Sequence, residues 1–302
     1  MTEPLRLQVA IPHFFQEGAS ETSGGYGSGR QGNRLPRSLA LARCLGSVLG
    51  LNRAQHDWIL NIAERQLELS PAPALAGLPA VQVELHLFVC GQAWLDDVVE
   101  QFAPRLQLHR LELDDPMQLP LAAVRHLLDR APTADLSLYL EDDLVIQDPR
   151  YVDKLAWFHQ RTEHRCVLMP HRREQTVANA PQRLFVDGPI KSDDHAVRVW
   201  ASEEEVVATG RFWDGQELQF VKASNPHSGS FCLSAPQVDQ LRGAPWPPPP
   251  FVGPLETAAT GTVRGHFPIL KPSWACREFL TLEHANPSFL RLLGELPRRV
   301  QP

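Results

Sequence analysis

The amino-acid sequence predicts an α/β fold with a mostly parallel central sheet flanked by helices, and an irregular C-terminal half. One observation is that short apolar segments of strand period alternate with segments of helical period through the first half of the chain, a pattern typical of βαβ units. A second is the ordinary globular composition, with 43% hydrophobic and 21% charged residues among 302. A collagen-like fibre, a coiled coil and a wholly disordered chain are therefore disfavoured.

The first elements are predicted from the spacing of apolar residues near the N-terminus. Leu5–Pro12 has the character of a short strand, and a loop rich in Gly and Ser follows over 17–33. Leucines and alanines then recur at helical spacing over Leu35–Leu49. Asn52 and Gln55 have the spacing of a capping box, so we expect a second helix to begin at Asn52.

The later elements are predicted in the same way. Apolar residues recur at every second position over Val81–Val89, which is the period of a strand. The other expected elements are a surface connection over 70–80, a helix over 95–102, a strand over Leu106–Leu113, a helix over Leu119–Leu128, a buried strand over Leu136–Leu140, a helix from Asp148 and Pro149 to Arg161, and a strand over Cys166–Met169. Beyond residue 170 the pattern is weaker, with a strand-like segment at Gly229–Leu233.

The charge balance limits the partners that the protein can attract. The chain has 29 Lys and Arg against 35 Asp and Glu, a net charge of −6. Such a chain has no general attraction for nucleic acid or for anionic lipid, so no nucleic-acid partner is expected. A phosphate-bearing ligand must then be held locally, by a cation or by a few arginines.

Cysteine usage and the N-terminus indicate the compartment. The 5 cysteines are scattered and form no CxxC pair, which favours buried reduced thiols over disulfides or a zinc knuckle. The first residues lack the features of a signal peptide, and no segment reaches the roughly 20 apolar residues of a transmembrane helix. We therefore expect a cytoplasmic location.

Three adjacent acidic residues, Glu141, Asp142 and Asp143, follow the predicted buried strand Leu136–Leu140. In open α/β sheets, ligands bind beyond the carboxyl ends of the strands. Adjacent carboxylates repel one another, and Mg²⁺ or Mn²⁺ relieves that repulsion while binding substrate phosphate. The alternative is a solvated acidic turn in which Asp148 caps the next helix.

At this motif the chain resembles the GT-A class of nucleotide-sugar glycosyltransferases, whose central strand ends in a DxD-type motif. The resemblance implies a GT-A-like, Rossmann-like single domain over residues 1–302, with a nucleotide-binding half (1–170) and an acceptor-binding and catalytic half (171–302). It further implies a metal-dependent glycosyltransferase of the hexosyltransferase type. Such an enzyme uses Mn²⁺ or Mg²⁺ to move a sugar from a UDP- or GDP-linked donor to a hydroxyl acceptor.

The resemblance also implies roles for individual acidic residues and histidines. Asp143 would be the metal ligand, assisted by Glu141 and by His284, which follows a strand-like segment; His266 is the competitor of His284. Glu256 would take the proton from the acceptor hydroxyl as a general base. Its alternative role is that of a favourable charge in the first turn of a helix.

Two further groups of residues are implied at the donor. The residues expected to bind the nucleotide are Pro12, His13, Phe14, Arg30, Arg34 and Asp142, with Arg37 as a further candidate for the diphosphate. In this group an aromatic or imidazole ring would stack on the base, and arginines would bind phosphate as bidentate donors. The residues expected to face the sugar are Asn225, His227, Ser228 and Gly229.

Two alternatives stay open beside this interpretation. A nucleotidyltransferase also uses an α/β sheet and carboxylate-held Mg²⁺, although its Gly-rich signature directly follows the first strand. In this chain the stretch 24–30 lies further along and contains no Lys. The other alternative is a non-catalytic sugar- or nucleotide-binding protein of the same fold. The acceptor and the stereochemical course are not predicted.

Overall fold

The computed structural model describes residues 3–18, 32–73, 75, 77–129, 131–176, 182–188, 205–222, 225–244 and 253–296. The strands, in chain order, are β1 (Leu5–Pro12), β2 (His56–Asn61), β3 (Gln66–Pro73), β4 (Val81–Cys90), β5 (Gln107–Leu111), β6 (Leu136–Leu140), β7 (Leu144–Val145), β8 (Val167–Leu168), β9 (His171–Gln175), β10 (Arg183–Phe185), β11 (Glu205–Arg211), β12 (Glu217–Lys222), β13 (Ser230–Ser234), β14 (Ile269–Pro272) and β15 (Thr281–His284). The α-helices are α1 (Arg34–Leu49), α2 (Asp96–Phe102), α3 (Leu119–Leu128), α4 (Tyr151–Arg161), α5 (Ala235–Leu241), α6 (Pro254–Glu256), α7 (Thr262–Arg264) and α8 (Leu292–Glu295). Short 3₁₀ segments occupy Ala103–Arg105, Pro116–Gln118 and Trp274–Phe279, and a π-helical turn occupies Thr257–Gly261.

The central sheet has the strand order β13-β6-β1-β4-β5. β1 runs parallel to both β4 and β6, β4 runs parallel to β5, and only β13 is antiparallel to its neighbour β6. The prediction of a mostly parallel sheet flanked by helices is therefore confirmed. The chain adds strands on one side of β1 first and then on the other, so the carboxyl ends of β1 and β6 border a topological switch point, where such sheets bind ligands.

Alternation along the strands divides the core between the two faces of the sheet. On one face, Val9 of β1 and Leu138 of β6 belong to a buried cluster with Leu45 of α1. On the other face, Ala10 and Tyr139 belong to a second cluster, which includes side chains of α3 and α5. Both faces are covered toward the carboxyl ends of the strands, so β6 and the last residues of β1 and β4 are buried at consecutive positions, as in buried parallel strands.

Two smaller sheets contain most strands of the C-terminal half, and one of them reaches the residues of the acidic motif. Their orders are β10-β9-β15-β7 and β11-β12-β14-β8. In the first, β15 pairs antiparallel with β7, with His284 opposite Leu144, and the backbone N–H of Ala285 donates to the carbonyl of Asp143 at 2.8 Å. This pairing brings a histidine from the end of the chain next to the residues that follow β6.

The prediction of a helix beginning at Asn52 is wrong. The segment forms the hairpin of β2 and β3, which extends into the connection predicted over 70–80. The Asn52 side chain is engaged elsewhere: its Oδ1 accepts from the N–H of Val83 at 2.9 Å, and its Nδ2 donates to the carbonyl of Leu49. Asn52 thus ties the end of α1 to β4 instead of capping a new helix.

The start of α4 also differs from the prediction. This helix begins at Tyr151, because Oδ1 of Asp148 accepts from the N–H of Arg150 in a turn that precedes it. Most of the Gly- and Ser-rich loop, including Arg30, most of the acidic stretch 191–205 and the run 247–250 lie outside the described residues. Among the helices that the structure describes, none combines the length and the apolar character needed to cross a bilayer.

The turn that leads into β13 provides a test of packing against the motif. Gly229 has φ +64°, and a Cβ there would lie 2.9 Å from Cδ1 of Leu144 and within that distance of the Glu141 carboxyl group. Gly215 has φ +89°, but its Cβ would meet nothing within 4 Å. Both alanine variants carry the positive-φ penalty of about 1–2 kcal/mol. We expect Gly229→Ala to lower the free energy of unfolding by roughly 1–3 kcal/mol more than Gly215→Ala does, because of overpacking.

Urea unfolding of the two variants beside the wild type measures this difference. Equal losses of stability would contradict a close approach between the Gly229 backbone and the motif.

Candidate active site

A cleft of about 450 Å³ opens at the carboxyl ends of β1 and β6. It gathers residues that the sequence analysis singled out from six separate regions: Pro12, Phe14, Arg37, Glu141, Asp142, Asp143, His227, Glu256 and His284. Its other lining residues are Leu119, Pro120, Arg172, Leu255, Asn286, Ser288, Phe289 and Arg291. The cleft thus lies where the topology of the sheet predicts a ligand site.

Arg37 of α1 neutralises the centre of the acidic motif. Its Nη2 donates to both carboxylate oxygens of Asp142, at 2.6 and 2.7 Å, and its Nη1 donates to Oδ2 of Asp143 at 2.9 Å. Burial alone would lower the pKa of Arg37, but the two carboxylates hold it above its ordinary value. These charge-assisted bonds hold Asp142 and Asp143 in place, so the guanidinium is engaged by the motif itself.

His13 holds the same carboxylate from the end of β1. Its Nε2 lies 3.1 Å from the N–H of Leu95 and accepts that proton, so Nδ1 carries the ring hydrogen and donates to Oδ2 of Asp142 at 2.5 Å. The His13 side chain has no exposed surface. The stacking on a base expected for His13 therefore does not fit the structure, whereas its neighbours Pro12 and Phe14 do line the cleft.

His284 lies between two carboxylates. Its Nδ1 donates to Oε1 of Glu174 at 2.7 Å, and its Nε2 lies 3.4 Å from Oδ2 of Asp143. Burial alone would lower the pKa of His284, but the two carboxylates raise it to about 9. In return, against the effect of burial, His284 and Arg37 hold the pKa of Asp143 well below its usual range. His284 therefore carries a positive charge at neutral pH when no metal is bound.

Glu174 of β9 is a site residue that sequence analysis missed. Its buried carboxylate accepts backbone N–H groups from Ser288, Phe289 and Leu290, at 2.6 to 3.1 Å, in addition to the bond from His284. A carboxylate on the far ring nitrogen is the usual partner of a metal-binding histidine, because it fixes the ring orientation. No local pattern marks Glu174, since its partners lie more than 100 residues away.

Glu141 faces the cleft as the least satisfied acid of the motif. Among the described residues, its Oε1 is one of the buried side-chain oxygens that have no hydrogen-bond partner. Burial raises the pKa of Glu141 to about 8, with Arg172 opposing the rise and the charges of Asp143 and Glu256 adding to it. Arg172 is a second residue that sequence analysis missed; its Nε and Nη2 both donate to Oδ1 of Asp187, at 3.0 and 2.9 Å.

The spacing of the predicted metal ligands is compatible with a bound cation. Ligands about 2.1 Å from an octahedral Mg²⁺ lie roughly 3 Å apart, close to the 3.4 Å between Oδ2 of Asp143 and Nε2 of His284. The unpartnered oxygen of Glu141 provides a further acceptor in the same cleft. Because Mg²⁺ and Mn²⁺ sites are often completed by water and phosphate, Asp143 and His284 with Glu141 nearby fit such an ion.

The loop expected to face the sugar contributes one side chain to the cleft, that of His227. The His227 Nδ1 is 3.0 Å from Oγ1 of Thr260, and burial lowers the His227 pKa to about 3. Ser228 is buried and bonds to the Ser230 carbonyl, and Nδ2 of Asn225 bonds to a backbone carbonyl. Gly229 packs its backbone against the Glu141 carboxyl group.

The remaining predicted residues divide between the cleft and the surface. Glu256 lines the cleft from α6, where it stands in the first turn as expected. Arg34 pairs with Asp96 and Asp97 on the surface and lines a different depression. His266, the competitor of His284, is exposed and also lies outside the cleft. Arg30 falls outside the described residues.

No protein-family model and no curated protein sequence matches the chain. Solved structures do match. S. aureus TarS 1-349 in complex with UDP matches at 11% identity and a TM-score of 0.38, over 88% of this chain and 57% of that one. GalNAc-T7 with UDP, GalNAc and Mn²⁺ matches at 12% identity and a TM-score of 0.45, over 93% of this chain and 43% of that one. Both neighbours are glycosyltransferases, the class that the sequence resembles, and the chain spans about half the length of each.

The position of His284 between two carboxylates predicts a pH-dependent stability in metal-free protein. The His284 pKa rises from 6.5 to about 9 on folding. A raised histidine pKa stabilises the folded state fully below the unfolded value and loses that effect as the pH rises through the folded value. At about 1.4 kcal/mol per pKa unit, the contribution is on the order of 3 kcal/mol.

We therefore expect the stability advantage of wild type over His284→Gln to be greatest below pH 6.5 and to fall as the pH rises through about 9, because only the charge-linked part of the advantage is lost. Denaturant unfolding in a chelator at several pH values measures it, with His266→Gln as the control that should follow the wild type. A constant difference between wild type and His284→Gln across this range would contradict the assignment.

Proposed function

We propose that the protein is a metal-dependent glycosyltransferase that transfers a sugar from a nucleoside-diphosphate sugar to a hydroxyl acceptor. The observation that carries this proposal is the convergence of Asp143, His284 and Glu256 on one cleft at the switch point of the sheet. The three residues come from different parts of the chain. They would provide a cation site and a separate carboxylate, the two groups that a metal-assisted inverting displacement at an anomeric carbon uses.

The nucleoside would bind between apolar walls of the cleft. Pro12 and Phe14 line it at the end of β1, and Leu119 and Pro120 line it at the start of α3. Ligand sites of this size are commonly apolar with a few convergent polar groups. An aromatic ring such as that of Phe14 can stack on a base. UDP- and GDP-linked donors are the candidates.

The diphosphate would bind next to the acidic motif. Asp143 and His284 would hold the Mn²⁺ or Mg²⁺ ion, which supplies the charge that neutralises the leaving diphosphate. Arg172 and Arg291 also line the cleft and offer guanidinium groups to the phosphate oxygens. Arg37 and His13 contribute indirectly, because they hold Asp142 and so fix the position of the neighbouring Asp143.

The transfer step would use Glu256 as the base in an inverting reaction. The acceptor oxygen forms a bond to the anomeric carbon while the bond from that carbon to the donor phosphate oxygen breaks. The acceptor proton moves to the Glu256 carboxylate, and the nucleoside diphosphate leaves with the electron pair. In a retaining reaction Glu256 would instead orient the acceptor. The partly buried ring of His227, neutral because its pKa is low, lines the same cleft and would lie against the sugar.

Turnover with a panel of nucleotide sugars and Mn²⁺ tests the proposal together with the role of Glu256. Wild type is expected to release nucleoside diphosphate. In Glu256→Gln, kcat should fall by about 10²–10⁴, the usual contribution of a general base, while the donor Kd stays the same. The matched control is Glu217→Gln, because Glu217 is exposed on β12 and pairs with Arg211 away from the cleft.

Three outcomes would contradict this assignment. Release of inorganic diphosphate from a nucleoside triphosphate supplied with a sugar 1-phosphate, without release of nucleoside diphosphate from any nucleotide sugar, would indicate nucleotidyl transfer. No metal-dependent turnover or nucleotide binding with any donor would indicate a non-catalytic protein of this fold. Normal turnover in Glu256→Gln would remove the base role while leaving sugar transfer itself in place.

A further inference from the structure

A group of three histidines lies on the sheet face covered by α3, outside the cleft described above. His86 of β4, His109 of β5 and His126 of α3 come from three different elements. One possible ligand atom from each lies within 4.8 Å of the other two. Among the described residues, these three histidines are the one group of at least three His, Cys, Asp or Glu side chains whose possible ligand atoms lie this close together.

The register of the sheet explains why these side chains meet. His86 and Phe88 alternate with apolar residues that face α1, so both point to the α3 side. His109 lies opposite Phe88 in the parallel pair and stacks on its ring, with centroids 4.4 Å apart. His126 belongs to the last turn of α3, whose first turn lines the cleft. The histidines therefore lie near the opposite end of α3 from the cleft.

Hydrogen bonds already bring ring nitrogens of the three histidines close together. The amide Nε2 of Gln8 lies 3.2 Å from Nε2 of His86 and 3.5 Å from Nε2 of His126. Nδ1 of His86 lies 2.9 Å from Nε2 of His109, so one of these two nitrogens carries a hydrogen and the other accepts it. Imidazole binds a metal in its neutral form, so an ion held by all three rings would replace these hydrogen bonds.

A carboxylate is available as a fourth ligand. Oε1 of Glu84 lies 3.3 Å from Nε2 of His86, two residues along the same strand and on the same face. Gln107 orients this oxygen by donating to it at 2.8 Å. The Glu84 side chain is 49% exposed, and His109 and His126 are only partly buried, so an ion has a path to the group from solvent.

We propose that His86, His109 and His126, with Glu84, form a second metal site that binds a late first-row divalent ion such as Zn²⁺. Three imidazoles and a carboxylate suit Zn²⁺ better than Mg²⁺ or Mn²⁺. Ligand nitrogens of a tetrahedral zinc site lie roughly 3.3 Å apart, between the 2.9 Å contact and the 4.8 Å limit observed here. Small side-chain rotations complete the site. The ion joins β4 and β5 to the end of α3 as a structural cross-link.

Zn²⁺ titration against a chromophoric chelator tests the site in the Asp143→Asn background, which removes a ligand of the cleft. One bound ion is expected. His109→Gln and His126→Gln should each weaken binding by more than the roughly 10–100-fold that loss of an outer-sphere partner costs. The exposed His266→Gln is the matched control and should bind as the background protein does. Both target histidines are partly buried, so their glutamine variants are expected to fold, which circular dichroism verifies.

Co²⁺ substitution in the unmutated chain provides a readout that does not depend on the folding of variants. The intense visible bands of tetrahedral Co²⁺ are expected, and Zn²⁺ should displace them. Weak octahedral bands, no bound Zn²⁺, or an affinity in His109→Gln and His126→Gln equal to that of His266→Gln would each overturn the proposal. None of these results bears on sugar transfer at the cleft.

Discussion

The site depends on one buried interaction, the ion pair in which Nη2 of Arg37 donates to both carboxylate oxygens of Asp142. Three adjacent carboxylates at the end of a buried strand would repel one another in a medium of low dielectric constant. Arg37 neutralises the charge of Asp142, the central acid, and also donates to Asp143. His13 donates a further hydrogen bond to Asp142. The motif is therefore divided: Arg37 and His13 occupy the carboxylate of Asp142, whereas Oε1 of Glu141 has no hydrogen-bond partner among the described residues and Asp143 lies beside His284. That division leaves Asp143 and Glu141 as the acids proposed to hold a cation, which a protein with a net charge of −6 needs if it is to bind a diphosphate.

The C-terminal half completes the site through backbone pairing. β15 joins β7 and β9, so one short strand places His284 beside Asp143 and against Glu174 at the same time. Glu174 also collects the N–H groups of residues 288–290, which fixes the segment that lines the cleft. Removing Glu174 would leave these buried donors without their acceptor, so this carboxylate couples the fold of the C-terminal segment to the orientation of the histidine.

The sequence predicted the parts of the molecule that local patterns encode. The bounds of β1, α3 and β6 agree with the prediction, because the apolar residues that these elements bury are already visible as a pattern in the sequence. The false helix at Asn52 shows the limit of a local signal, since that side chain bonds to β4 instead. Glu174 and Arg172 have partners that no spacing reveals. Arg37 was a candidate for the diphosphate, and only the fold shows that it binds the motif.

The central claim is that the acidic cleft accepts a diphosphate only together with a divalent cation. Isothermal titration of the wild type with UDP and GDP, in Mn²⁺ and in a chelator, tests it directly. We predict that at least one of the two nucleotides binds tenfold or more tightly in Mn²⁺, a gain of about 1.4 kcal/mol or more. An equal Kd for both nucleotides in Mn²⁺ and in chelator would contradict the claim.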